Sequence, residues 1–272
     1  MRLAMTRKIG FSSGLRYWLK DLNEQENRTL FGEQASPYNH GHNYTLEVTV
    51  RGSIDPDTGM ILNIKVIDDL LQSTVVQRFD KKSINDEIPV FANKAPSIEN
   101  LLLYIWELLQ DLPSQVELES LILHATPHLY AERRNHEMTL TRQYEFAASH
   151  RLHAAQLSAD ENWQLFGKCT NPAGHGHNYL LEVTVKGEPD EKTGMLVDIE
   201  ALDRCVEWLV LERYDHKNLN SDVPELQGTN PTSELVAEAI FKNLKDHVPA
   251  KLHRIRLHET ARSVFEVTEG AG

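Results

Sequence analysis

The sequence predicts an α+β protein made of two tandem units, each an antiparallel four-stranded sheet with two helices on one face. Three observations carry this. The string His-Gly-His-Asn-Tyr occurs at His40–Tyr44 and again at His175–Tyr179, about half of the 272-residue chain apart, which marks an internal duplication. Each string opens an alternating run: His175, His177, Tyr179, Leu181, Val183 and Val185 share one strand face, while Leu180, Glu182 and Thr184 point the other way. Each half then carries a strong turn signal and two stretches with apolar residues at helical spacing.

In order, residues 7–18 read as a strand through Ile9 and Phe11, followed by a polar segment that leads to Leu30-Phe31-Gly32. The first HGHNY strand runs to Val50 and turns at Asp55-Pro56-Asp57-Thr58-Gly59. A short strand is expected from Met60 to Ile64, then a helix with Val66, Ile67, Leu70, Leu71, Val75 and Val76 on its stripe. Pro96-Ser97 starts a second helix, with Ser97 as N-cap and Leu102, Ile105, Trp106 and Leu109 inward. A strand from Leu118 to His124 and a partner around Tyr130 complete the first unit, assigned to residues 1–131. The charged segment Glu132–Glu137 lies in an expected linker, 132–139. The second unit, 140–272, repeats the order: a strand to Leu152, Leu165-Phe166-Gly167, the second HGHNY strand, a turn at Asp190–Gly194, a helix, Asp215-His216-Lys217, a helix from Pro231-Thr232, and two closing strands.

Composition narrows the function. The chain has 28 basic and 40 acidic residues, a formal charge of −12, which argues against a nucleic-acid or anionic-membrane partner. It has no apolar run long enough to span a membrane and no signal-peptide pattern at its start, so a soluble, cytoplasmic protein is expected. Two cysteines make no disulfide framework. Cys205 falls in an amphipathic stretch and reads as a packed thiol. Cys169, in a Gly/Pro/Asn-rich loop just before His175, is the thiol to suspect of chemistry.

The two halves differ where chemistry would lie. His150 stands opposite Leu15, Cys169 opposite Gln34, His216 opposite Lys81 and, after a one-residue slip, Glu259 opposite Ala125. Turns, helix starts and apolar faces persist in both, so the second half reads as competent and the first as degenerate. Both histidines of a His-x-His strand project from one face about 6–7 Å apart. With His150 on a neighbouring strand, His150, His175 and His177 would form a three-nitrogen site of the kind that holds catalytic zinc with a position left open. His40 and His42 lack the third ligand.

The runs FAASHRL, LFGKCTNPAGHGHNY, GMLVDI, DHKNLN, PTSE and HET, spread over residues 140–268, closely resemble the 6-pyruvoyl-tetrahydropterin synthase family. The first half resembles the same family in its HGHNY and helix-start patterns. The resemblance implies the tunnelling fold (T-fold), in which such units pack side by side into β-barrels. It also implies a zinc-dependent lyase that acts on 7,8-dihydroneopterin triphosphate, eliminating triphosphate to give 6-pyruvoyl-tetrahydropterin without an external redox cofactor.

Carried over, His150, His175 and His177 would hold zinc and Cys169 would act as general base. Asp215 would orient His216, which relays the proton. Glu234 and Glu259 would anchor the pterin, with Thr232 and Ser233 beside them. Arg151, Lys168 and Lys217 are candidates for the triphosphate. A sister group forming 6-carboxy-tetrahydropterin typically has Cys-x3-His-Gly-His, whereas this chain has Cys-x5-His-Gly-His, which favours the pyruvoyl product. A non-catalytic pterin-binding scaffold is the alternative of a different class.

Within the family the Asp-His pair reaches the Cys from a neighbouring subunit. A homo-oligomer is therefore expected. A trimer of chains, with a barrel of second halves stacked on a barrel of first halves, is favoured over halves alternating around one barrel, which would set Lys81 beside Cys169.

Overall fold

The computed structural model describes residues 1–269. The long elements are β1 (Arg2–Leu15), α1 (Glu24–Phe31), β2 (His40–Ser53), α2 (Ile64–Leu71), α3 (Ile98–Leu108), β3 (Val116–Thr126), β4 (Leu129–Arg134), β5 (Glu137–His150), α4 (Ala159–Phe166), β6 (His175–Lys186), α5 (Ile199–Val206), α6 (Ser233–Lys245), β7 (Lys251–Thr260) and β8 (Ser263–Thr268). The described residues divide into two compact units, one of residues 1–140 with 187–196 and the other of 141–186 with 197–269.

In the first unit the strand order is β4-β3-β2-β1, all antiparallel, with the two-residue strand Lys82–Ser83 added in parallel on β1. The second unit repeats it as β8-β7-β6-β5, with Lys217–Asn218 parallel to β5. Alternation decides which face is covered. Leu46, Val48 and Val50 of β2, and Leu181, Val183 and Val185 of β6, are at most 1% exposed. Each such burial contributes about 1.5–3 kcal/mol. Helix α3 packs on β3 and β4, and α6 on β7 and β8. The sheet is not closed on itself among the described residues.

Several local expectations are corrected. The segments before Phe31 and Phe166 are helices, α1 and α4, closed by matching capping boxes at Asn23/Glu26 and Ser158/Glu161. Each unit therefore has three longer helices, not two. Residues 60–63 form no strand; Asn63 caps α2 by accepting from the Lys65 N–H. Both α2 and α5 pass into a π-helical turn (72–76 and 207–211); Ile67, Leu71 and Val75 are buried, while Val66, expected on the stripe, is 44% exposed. Segment 132–139 is occupied by the end of β4, a two-residue turn with Asn135 at φ 55°, and the start of β5. Ser97 does cap α3, accepting from the Asn100 N–H.

Segment 187–196 belongs to the first unit because it is gripped there. The Leu196 N–H donates to Glu99 Oε1 (2.9 Å) and Ser97 Oγ donates to the Gly194 carbonyl (2.6 Å). Glu99 is 2% exposed, and its burial pushes its pKa up to about 7 from 4.5. Between these values the folded-state Glu99 holds a proton that the unfolded chain releases, so its contribution to stability falls as pH rises from about 4.5 to 7 and levels off above. The change is at most about 3 kcal/mol. Urea unfolding of the wild type and Glu99→Gln across pH 4.5–8 should show this fall in the difference between the two stabilities. A parallel pH dependence in the variant would count against it.

The buried Asn162 donates to the carbonyls of Ala154, Leu157 and Ser158 and accepts from the Ala154 N–H. Asn27 does the same for its loop in the first unit. Asn162→Ala orphans these groups and should destabilise the second unit by about 2–4 kcal/mol, read by urea denaturation.

Candidate active site

His175 and His177 sit at the start of β6, and His150 ends the neighbouring β5. The turn before His175 needs Gly174, which has φ 72° and lies so close that a Cβ would come within 2.9 Å of the His150 carbonyl. The three imidazoles converge. His150 Nε2 and His175 Nε2 are 3.3 Å apart, and one ligand atom from each of the three histidines lies within 4.8 Å of the others. His150 is 1% exposed, and its Nδ1 bonds the Pro231 carbonyl at 2.8 Å, leaving Nε2 to face the cluster. Buried His175 Nδ1 and His177 Nε2 have no hydrogen-bond partner. Burial holds all three rings below their ordinary pKa, in the neutral form that ligates metal. Among the described residues this is the group that can hold a metal ion.

Glu259, on β7, completes the cluster. Its Oε1 is 3.8 Å from His177 Nε2 and 3.9 Å from His150 Nε2, and it accepts from Ser233 Oγ at 2.7 Å. Ser233 begins α6, directly after the Pro231-Thr232 segment that holds His150. Thr232 occupies the N-cap position without a side-chain cap bond, and Glu234 is exposed in the first turn.

Asp215 and His216 form a second group. His216 Nδ1 bonds Asp215 Oδ2 at 2.7 Å, and Asp215 Oδ1 accepts from the Ala147 N–H at 2.7 Å. The Ala147 bond, then His216, hold the Asp215 pKa below its ordinary value. His216 has φ 57° with its side chain 83% exposed, a strained conformation costing about 1–3 kcal/mol in a non-glycine residue. It borders an open cleft also lined by Ala147, Ser149, Gly176, Lys217 and, from the cluster itself, His177. Cys169 is partly buried in a 3-10 turn, its carbonyl accepting from the Leu152 N–H. No hydrogen bond among the described residues links Cys169 or His216 to the three histidines.

Sequence reasoning missed the backbone that fixes the site. The Pro231 carbonyl orients His150, and Asn220 clamps the next residue, accepting from the Arg151 N–H and donating to its carbonyl. Arg151 Nε donates to the Thr170 carbonyl, steadying the Cys169 turn. No local signal reveals a carbonyl acceptor, although the Asn in DHKNLN was visible.

The first unit has the same frame without the chemistry. Leu15, 1% exposed, pairs across the strands with His40, whose ring is 5.2 Å from that of His42. Register confirms the slip near the C-terminal strands: His124 faces Thr45 as His258 faces Leu180, so Ala125 stands where Glu259 does. Lys81 repeats the φ of His216, at 57°, and Asp80 Oδ1 accepts from the Ser12 N–H.

Fold and site together define a duplicated α+β protein with, among the described residues, one metal-competent centre, in the second unit. The sequence pattern of the family described as 6-pyruvoyl tetrahydropterin synthase matches residues 4–136 and again 139–270, and the chain belongs to that family. It is 44% identical over 126 residues to the 6-pyruvoyl tetrahydrobiopterin synthase of Poecilia reticulata, covering 46% of this chain and 86% of that protein. It is 43% identical to that of Homo sapiens, over 46% of this chain and 87% of the relative. The solved 6-pyruvoyl tetrahydropterin synthase of Caenorhabditis elegans superposes with a TM-score of 0.47 at 38% identity, over 49% of this chain and 96% of that one. No helix of the described residues is long and apolar enough to cross a membrane.

If the three imidazoles form the metal centre, one ion should bind per chain. His150→Ala, His175→Ala or His177→Ala should each lower metal content, read by elemental analysis, by at least tenfold at limiting metal. His40→Ala and His42→Ala should leave it unchanged, and loss of metal in those two would refute a single centre.

Proposed function

We propose that the second unit is a zinc-dependent lyase converting 7,8-dihydroneopterin triphosphate to 6-pyruvoyl-tetrahydropterin with loss of triphosphate. The observation that carries this reading is the convergence of His150, His175, His177 and Glu259 in a unit whose sequence matches the family. The donor set fits zinc: three neutral imidazoles, two with an unpartnered buried nitrogen. Zinc bound there would supply Lewis acidity toward the substrate's side-chain hydroxyls, easing loss of a neighbouring carbon-bound proton.

The chain's own residues do the rest. Glu259 is held by Ser233 through Oε1, which leaves Oε2 to accept N–H groups of the pterin ring. Glu234, Thr232 and Ser233 line the helix start beside it, where Glu234 adds a second acceptor. Cys169 serves as general base on the side chain. His216, with its Nδ1 fixed by ionised Asp215, presents its other nitrogen to relay that proton. Substrate phosphate is met by Lys217 at the cleft and by Lys168, while Arg151 is partly committed to the Thr170 carbonyl.

Because His216 is exposed and unlinked to the cluster of its own unit, the working enzyme is a homo-oligomer in which the pair reaches Cys169 from another copy; a trimer of chains is the mass expected from the sequence. The reaction needs no external oxidant or reductant, and its place of work is the cytoplasm. The first unit, with Leu15 and Ala125, serves as scaffold.

Incubating zinc-loaded protein with 7,8-dihydroneopterin triphosphate should give the pyruvoyl product by mass spectrometry, and Cys169→Ala should lower kcat by roughly 10²–10⁴. A 6-carboxy product would move the chain to the sister reaction. No turnover by the wild type, or full activity in the variant, would refute the assignment.

A further inference from the structure

Tyr214, the residue just before the Asp215–His216 pair, is wholly buried, and its hydroxyl ends in a polar network. That hydroxyl donates to Glu225 Oε1 at 2.8 Å, and Asn243 Nδ2 donates to the same oxygen at 2.7 Å. Arg213 Nη2 donates to Glu225 Oε2 at 2.6 Å. Burial would raise the Glu225 pKa, but the bonds from Arg213 and Asn243 outweigh it and hold the carboxyl down to about 2. Glu225 is therefore an ionised carboxylate with donors on both oxygens.

The first unit is built differently at these places. By the offset that pairs His40 with His175, it carries Phe79, Val90 and Leu108 where the second unit has Tyr214, Glu225 and Asn243. Phe79 is fully buried, and its ring packs on Phe11 and Tyr104 at 5.3 and 6.1 Å between centroids. Tyr214 keeps a ring contact, with Phe146 at 6.0 Å, and adds the hydroxyl. The polar set thus occurs in the unit that carries an imidazole on the following turn. It is replaced by apolar side chains where that position is Lys81.

Stability does not explain the swap. Replacing a buried ionic network by well-packed apolar side chains is often neutral or stabilising. Nor does the left-handed turn need the network, since Lys81 and His216 share a φ of 57°. What a fully satisfied polar network adds to apolar contact is a fixed position. Asn243 supplies the reference for that position, because it lies on α6. The start of α6 holds Glu259 through Ser233, directly after the Pro231 carbonyl that holds His150. One helix therefore sets the metal-competent cluster at its start and the loop of the relay pair further along.

We propose that Glu225 is a positioning residue for the reaction: with Tyr214, Asn243 and Arg213 it fixes the Asp215–His216 turn against α6, so that His216 is presented at one distance and angle. The inference rests on the assignment of proton relay to His216. A misplacement of about 1 Å costs up to about 10²-fold in rate.

The triple variant Tyr214→Phe, Glu225→Val, Asn243→Leu writes the first unit's side chains into the second. Its urea midpoint should be no lower than the wild type's, its metal content and KM should be unchanged, and its kcat should fall by roughly 10–10²-fold. Amide hydrogen exchange should quicken at Asp215 and His216, whose N–H groups donate to the Leu211 and Ala147 carbonyls, and stay the same along β6. On a His216→Ala background the same three changes should cost no further rate, because they act through that imidazole. A wild-type kcat in the triple variant, a loss of rate matched by a loss of stability, losses that add on the His216→Ala background, or unchanged exchange at Asp215 and His216 would each overturn the proposal. Full activity of His216→Ala alone would sink the relay assignment and the proposal with it, and is told apart because the exchange difference remains.

Discussion

The bond from His150 Nδ1 to the Pro231 carbonyl, 2.8 Å long, is the constraint on which the second unit's chemistry depends. A neutral imidazole can donate from one nitrogen only, so donation at Nδ1 leaves Nε2 as the lone-pair nitrogen facing His175 and His177. The same bond ties the end of β5 to the start of α6 across 81 residues of sequence. Pro231 is followed at once by Thr232 and by Ser233, whose hydroxyl holds Glu259. The metal-competent nitrogens and the carboxylate beside them therefore move as one body. Burying three imidazoles carries a desolvation cost, and the lowered basicity of each ring is its trace. The cost leaves them uncharged and ready to ligate.

The first unit shows that the frame stands without the chemistry. Leu15 replaces the ligand and is as buried as His150, so an apolar side chain fills the space at less desolvation cost. Asp80-Lys81 keeps the bonded, left-handed backbone of Asp215-His216 although Lys81 has no imidazole to aim. That retention locates the reason for the strained turn in the strand-edge contact, where the Lys81 and His216 N–H groups donate to the Ser12 and Ala147 carbonyls. The imidazole was placed on a turn the fold already required.

What was legible in the sequence followed from periodicity. Alternation along HGHNY put His175 and His177 on one face, and comparison of the halves singled out His150 and Glu259, which the structure brings to the same cluster. What was not legible depends on distant or backbone partners. The eight-residue helices α1 and α4 are too polar to show a stripe, though Ser158-x-x-Glu161 was a readable start signal. Residues 60–64 looked like a strand because Met60, Ile61 and Leu62 are apolar, but they follow a tight turn and lead straight into the helix that Asn63 caps. The charged run at 132–139 resembled a linker because surface strand and linker share composition. The Pro231 carbonyl carries no side-chain signature.

The fate of Glu99 unites these points. It matches Glu234 in sequence, yet it is buried, raised to a pKa of about 7, and spent on the backbone of segment 187–196. Met195 closes the space in front of it, packed against Phe31, Ala35 and Ala95. A carboxylate so enclosed, 2% exposed, is closed to solvent and to anything dissolved in it. Docking of 187–196 on Ser97 and Glu99 is intramolecular, so it carries no cost of bringing two molecules together. With the turn held, Ser97, Glu99 and Asn100, at most 4% exposed, are part of the core.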